Sequence, residues 1–225
     1  MMMPSMQGFA LIAVFIAAFV GVAWWLSSKR RKEIQAWAEA KGLRFQPTRD
    51  RSLDERYSEF TCLRRGYSRY AYNGAAGSWN GRDLLAFDYH FATGAGKNRH
   101  DYRFSAIILS STFPLRPLTI RTETVFDKLT DALGFEDIDF ESSEFSREFH
   151  VGSPDRRWAF DVVHQRTMEF LLAQPRFAVQ FGRREVIVWR NRKLSTQMFD
   201  AAIKVAEGIL VRVPDYVIQS QGGEG

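Results

Sequence analysis

Residues 79–91 read Trp-Asn-Gly-Arg-Asp-Leu-Leu-Ala-Phe-Asp-Tyr-His-Phe, and they decide the fold class. Asn80-Gly81 is a dipeptide that closes two-residue β-hairpins, because both central positions of that turn need a positive φ. Beyond it, Leu85, Phe87, Tyr89 and Phe91 share one face of a strand over Leu84–Phe91, opposite Ala86, Asp88 and His90. Toward the N-terminus, Tyr70–Trp79 reads as a glycine-interrupted strand, and Phe60–Leu63 as a shorter one. Toward the C-terminus, Tyr102, Phe104, Ala106 and Ile108 repeat the period of two across a loop at Thr93–His100. Pro114 and Pro117 interrupt this meander before Leu118–Arg121.

Helical periodicity dominates further along. Thr122 is placed to cap a helix carrying Val125, Phe126, Leu129 and Leu133, which Gly134 ends. Ser153-Pro154-Asp155 combines a cap, a proline for the first turn and an acid at the positive dipole end. The stripe Phe160, Val163, Thr167, Met168 and Leu171 follows, to a stop near Pro175. A hairpin pairs Phe177–Phe181 with Glu185–Trp189 around Gly182-Arg183-Arg184. A last helix over Ser195–Val211 aligns Met198, Ala202, Val205, Ala206 and Ile209. Strands in a meander followed by clustered helices, without βαβ alternation, predict an α+β domain on an antiparallel sheet: a meander, a C-terminal hairpin and about three packed helices.

The N-terminus is of a different kind. Phe9–Leu26 is 18 uncharged residues, about 27 Å of helix, which predicts a transmembrane span. Trp24 and Trp25 end the run at headgroup level, and Lys29, Arg30, Arg31 and Lys32 follow as the membrane-interface cations. Met1–Gly8 carries no charged side chain, so the cations hold the following domain in the cytoplasm with the N-terminus outside. A cleaved signal peptide would carry its positive charge before the apolar run. The chain therefore divides into a short extracytoplasmic segment (1–8), a transmembrane helix (9–26) and a juxtamembrane basic and amphipathic helix (27–44) with Ile34, Trp37 and Ala38 on one side. A cytoplasmic α+β domain (45–215) and a flexible, polar tail (216–225) complete it.

Composition narrows the function. Of 225 residues, 31 are Lys or Arg and 26 are Asp or Glu, a net charge of +5. Lys29–Lys32 with Glu33 supplies +3 of that, leaving the rest of the chain at +2. This weighs against a nucleic-acid-binding face, which needs a concentrated basic patch. Cys62 alone excludes a disulfide framework and an all-cysteine metal site. Gly94-Ala95-Gly96-Lys97 lacks the preceding glycine, the following Ser or Thr and the following helix of a phosphate loop, and reads as a hairpin connection. Asp137, Asp139 and Glu141 have alternating ligand spacing, but Ser142 and Glu144 occupy the glycine and apolar positions of a calcium loop. His90, His100, His150 and His164 show no zinc spacing. No cofactor is expected. Trp37 and Trp79 remain as candidate partner contacts.

Residues 137–149 carry Glu144-Phe145-x-Arg147-x-Phe149, followed by the Ser-Pro-Asp helix start and Met168-x-Phe170-Leu171-Leu172. With Phe87-Asp88-Tyr89, this resembles a bacterial family of single-span membrane-anchored proteins with a cytoplasmic domain of unknown function, over residues 30–210. The resemblance implies a bacterial inner-membrane location and brings no catalytic residue. The expectation is a non-enzymatic accessory or scaffold subunit docking its domain on a larger integral membrane complex, respiratory or photosynthetic. Membrane lipids and an integral membrane protein are its expected partners. The rivals are a membrane-tethered hydrolase using carboxylates or His90 and His100, and a lipid-binding domain working through Lys29–Lys32.

Overall fold

The computed structural model describes residues 6–122 and 137–221, with side chains from Phe15. Its strands are β1 (Arg44–Gln46), β2 (Tyr67–Trp79), β3 (Arg82–Thr93), β4 (His100–Ser110), β5 (Leu118–Arg121), β6 (His150–Gly152), β7 (Ala178–Phe181) and β8 (Glu185–Arg190). Its helices are α1 (Met6–Ala40), α2 (Leu53–Arg56), α3 (Ser143–Glu148), α4 (Arg156–Val162), α5 (Gln165–Leu172), α6 (Thr196–Arg212) and α7 (Asp215–Gln221).

All eight strands form one antiparallel sheet in the order β1-β2-β3-β4-β8-β7-β5-β6. The meander and the C-terminal hairpin are thus halves of a single sheet, joined where β8 pairs with β4 from Ser105↔Arg190 to Ser110↔Glu185. Alternation sends residues of each strand to two cores. On one face, Leu84, Ala86, Ile107, Leu109, Val186 and Val188 pack under α1, α4, α5 and α6. On the other, Phe87, Tyr89, Phe104, Ala106, Ile108 and Trp189 pack under the segment holding Leu53, Phe60 and Leu63. The sheet is buried on both sides at its centre and ends in three-residue strands at both edges.

Local chemistry sets the element ends. Asn80 (φ 49°) and Gly81 (φ 75°) make the β2–β3 turn. Ser195 and Asp155 cap α6 and α4 by accepting from Met198 N at 3.3 Å and Trp158 N at 3.0 Å. Gly42 (φ 69°) ends α1.

Several expectations are corrected. Among the described residues no helix is long and apolar enough to cross a membrane. The side chains of residues 9–14 lie outside the described part. The transmembrane helix in the predicted fold class is therefore overturned. So is the single-pass inner-membrane location with an outside N-terminus. The tail expected from residue 216 is helical as far as Gln221, because Val217 is buried against the helix-side core. Thr61–Leu63 is a single 3₁₀ turn rather than a strand. The helix after Pro154 is two helices, broken at Val163 and His164, where the His164 ring donates from Nε2 to the Arg212 carbonyl at 2.9 Å. The helix expected from Thr122 lies outside the described residues.

Gly66 enters β2 at φ 59°, and a Cβ there would lie 2.1 Å from the Ala92 carbonyl oxygen. Gly66→Ala is expected to cost at least the 1–2 kcal/mol of a left-handed residue, about that much again being set by how far β3 yields. Urea unfolding at constant slope measures it; an unchanged midpoint would contradict the strain argument.

Candidate functional site

The feature that departs most from an ordinary packed domain is α1. Its C-terminal half lies on the sheet, burying Ile34, Trp37 and Ala38. Its other half leaves the body. Phe15 is 75% exposed, Phe19 77% and Trp24 72%, and Ile16, Val20, Val22, Trp25 and Leu26 are also exposed. These side chains occupy every side of the helix, whereas a surface helix of a globular protein confines its apolar residues to one stripe.

Arg30 holds the junction. It reaches Asp88, which is fully buried on the helix side of β3. Its Nη2 donates to Asp88 Oδ1 at 2.8 Å and its Nε to Oδ2 at 3.2 Å, a two-pronged contact; Nη1 donates to the Leu194 carbonyl at 2.5 Å. Ser105 Oγ donates to Asp88 Oδ1 at 2.5 Å and accepts from Leu194 N at 3.0 Å. Asn73 completes the shell from Nδ2 at 3.1 Å. Asn73 reaches it through an irregularity in β2, where its φ is 51° and the register shifts between Tyr72 and Ala75. One buried carboxylate thus joins α1, β2, β3, β4 and the approach to α6.

The residues singled out by sequence separate into two groups. Trp24 and Trp25 stay exposed, Lys29 lies 5.7 Å over the Trp25 ring, and Arg31 and Lys32 point to solvent. Arg30 departs from its expected interface role by turning into the sheet. Trp37 is 8% exposed, stacks on Phe199 at 5.2 Å and donates from Nε1 to Asp200 Oδ1 at 2.9 Å. It is a packing residue, not a free contact. Trp79 is half-buried beneath Lys41, whose Nζ lies 4.8 Å from its ring. By sequence, Asp88 stands on the strand face with Ala86 and His90 and within Phe87-Asp88-Tyr89, with no role assigned, and Ser105 is not named. The physical signal was Asp88 on a strand whose other face carries Leu85, Phe87, Tyr89 and Phe91.

His90 and His100 are not brought together. His90 pairs in register with Arg103, so His100, three residues earlier on β4, belongs to the opposite face. His90 is buried, faces the Ser68 carbonyl through Nδ1 at 3.0 Å and Asp101 Oδ1 through Nε2 at 2.8 Å, and stacks on Tyr70 at 4.6 Å. Asp137 is committed to His150 Nδ1 at 2.7 Å and Val151 N at 2.8 Å. On the sheet face away from α1, a groove of about 520 Å³ has a floor of Leu85, Phe87 and Ile108 and a rim with Tyr57 and Glu185. Burial pushes the Glu185 carboxyl and the Tyr57 phenol up, with the charge of Glu59 adding to the first and that of Glu185 to the second. No histidine or cysteine lines that groove.

No protein-family model matches the chain, and no curated protein matches it. A solved structure does. The chain is similar to the mycobacterial trehalose monomycolate transport factor A, with a TM-score of 0.59 and 12% identity over 82% of this chain and 96% of that one. At that identity the likeness is one of fold.

Arg30→Met would leave the Asp88 carboxylate buried with only two neutral donors, and is expected to destabilise the domain by about 3–5 kcal/mol. Adding Asp88→Leu should restore part of the loss, which a double-mutant cycle reads directly. Strict additivity of the two changes would show that the pair is not coupled. A pH dependence follows from Asp101. The Arg99 guanidinium, and then His90, hold its carboxyl down to about 2, below the ordinary 3.8. A depressed folded value stabilises the ionised native state, so the contribution is complete above about pH 4 and fades as pH falls toward 2. The gap in melting temperature between the native protein and Asp101→Asn is expected to be open at pH 6 and to close across that window; a constant gap would refute the linkage.

Proposed function

We propose that the protein is a non-enzymatic accessory subunit that attaches its α+β domain to a larger membrane assembly through the projecting half of α1, with an integral membrane protein as the partner. The observation that carries this reading is the helix apolar on every side from Phe15 to Leu26, fixed to the domain by a buried ion pair. A helix of that composition is ordinarily enclosed. Nothing in the described chain encloses it, and an apolar protein surface would. The exposed Trp24, Trp25 and Lys29 at its base suit the border between an apolar partner and water. The fold likeness to a protein whose name makes it a transport factor accords with an accessory role. The kinship drawn on Glu144–Phe149 belongs to the same proposal.

The rival hydrolase reading loses its histidine pair to the register of β3 and β4, which sends His90 and His100 to opposite faces.

Gentle detergent extraction followed by native mass measurement tests the proposal. The protein is expected to migrate with a membrane protein partner, and a Phe19→Glu, Val22→Glu double variant is expected to lose that partner while keeping its melting temperature. A native protein that migrates alone, or a double variant that keeps the partner, would sink the reading.

A further inference from the structure

The geometry points to a binding site for a phosphate-bearing ligand in the cationic pocket at the open end of β2, β3 and β4. No part of the accessory-subunit reading is needed for it.

The pocket has a volume of about 370 Å³, at the small end of ligand sites and large enough for a phosphate with a group the size of glycerol or a sugar. It lies on the same sheet face as Asp88, two residues further along β3, because His90 pairs with Arg103 as Asp88 pairs with Ser105. Arg49 and Arg51 reach it from the segment after β1. There Asp50 forms a two-way backbone bridge with Ala71, at 2.9 and 2.8 Å, and its carboxylate turns away to Arg56 at 2.6 Å. Extended geometry at Asp50 sends its two neighbours to a common side, the pocket side.

Charge accounting gives the specificity. Five arginines line the pocket, with Asp101 as the lining carboxylate. Asp101 is taken by Arg99 at 2.9 Å and by His90 at 2.8 Å. Arg69 is taken by Asp54 at 2.7 Å. Arg49, Arg51 and Arg103 have no carboxylate partner among the described residues. The Arg49 guanidinium carbon lies over Tyr70, 4.5 Å from the ring centroid, and that ring stacks on His90. Contact with a ring face restrains a guanidinium while leaving its N–H donors to a ligand. Lys193 adds to the same field. Its ammonium lies 5.6 Å over Tyr72; desolvation lowers its proton affinity, Asp88 opposes that, and Arg30 and Arg103 add to it.

Three unneutralised guanidinium groups converging on one concavity repel each other. An oxyanion removes that cost, and a phosphate ester is the best match, since its charge of about −1.5 to −2 and several acceptor oxygens suit forked donors. A carboxylate would neutralise only one of the three. The small net charge of +2 outside the Lys29–Glu33 cluster hides this site, because the surplus is local.

Phosphate could reach the pocket on a soluble ester or on a lipid headgroup. From Leu43, packed at Gly77 opposite Leu84, back to Arg30 on Asp88, α1 follows β3 toward His90. Its exposed half therefore leaves the body at the pocket's end of the sheet.

The test uses the full chain and two probes: glycerol 3-phosphate by calorimetry, and sedimentation with phosphatidylcholine vesicles with or without phosphatidic acid. The Arg51→Gln, Arg103→Gln double variant removes two exposed, unpaired cations, and Arg166→Gln on α5 is the remote charge control. The double variant is expected to weaken binding at least tenfold and the control less than twofold, with melting temperatures unchanged. Pocket-dependent binding of glycerol 3-phosphate assigns a soluble ester, and pocket-dependent sedimentation that requires phosphatidic acid assigns a lipid headgroup. Binding of neither probe, or equal losses in the double variant and the control, would overturn the site.

Discussion

A carboxylate that cannot stay buried alone organises this molecule. Asp88 is closed off from water on the helix side of β3, and its oxygens are met by Arg30, Ser105 and Asn73. An ionised carboxyl group in such a place is tolerated only with a paired charge and filled lone pairs. Each partner belongs to a different element, so α1, the irregularity in β2 and the approach to α6 have to arrive together. Apolar packing of Ile34 and Trp37 would hold α1 to the sheet in many positions. The guanidinium fork selects one.

That selection has a mechanical side. Helix α1 is continuous from Met6 to Ala40, so its projecting half inherits the orientation fixed at Arg30. Fifteen residues separate Phe15 from Arg30, about 22 Å of rise. A surface presented at that distance is useful to a partner only if its direction is set, and an ion pair with two prongs sets direction better than methyl contacts do.

Much of the strand framework was legible because its signals are local. Asn80-Gly81 marks its turn, Leu85 through Phe91 alternate, and Ser195 and Asp155 carry their capping oxygens where the helices begin. What was not legible depends on partners distant in the chain. Arg30 sits in a run of four cations that reads as an interface cluster, and only its meeting with a residue 58 positions away separates it from its neighbours. Trp37 looked free because its partners, Phe199 and Asp200, belong to the last long helix. The apolar run before Arg30 read as a membrane span by composition, and among the described residues no helix is long and apolar enough to cross a membrane. The arginine pocket was hidden by a cancelling sum: Arg49, Arg51 and Arg103 come from two segments joined only by the sheet.

The borders of the sheet carry a different consequence. β1 and β6 are three residues each, and β1 covers β2 only from Gly74 to Ala76. Beyond that, the outer rim of β2 is capped by the Asp50 bridge at Ala71 and bent by left-handed residues at Ser68 and Asn73. Such rims are poor templates for an incoming strand. The domain is thereby protected from growing edge to edge into ordered aggregates, even at the high local densities of a crowded assembly. Any assembly it joins has to be read through side chains and not through main-chain pairing.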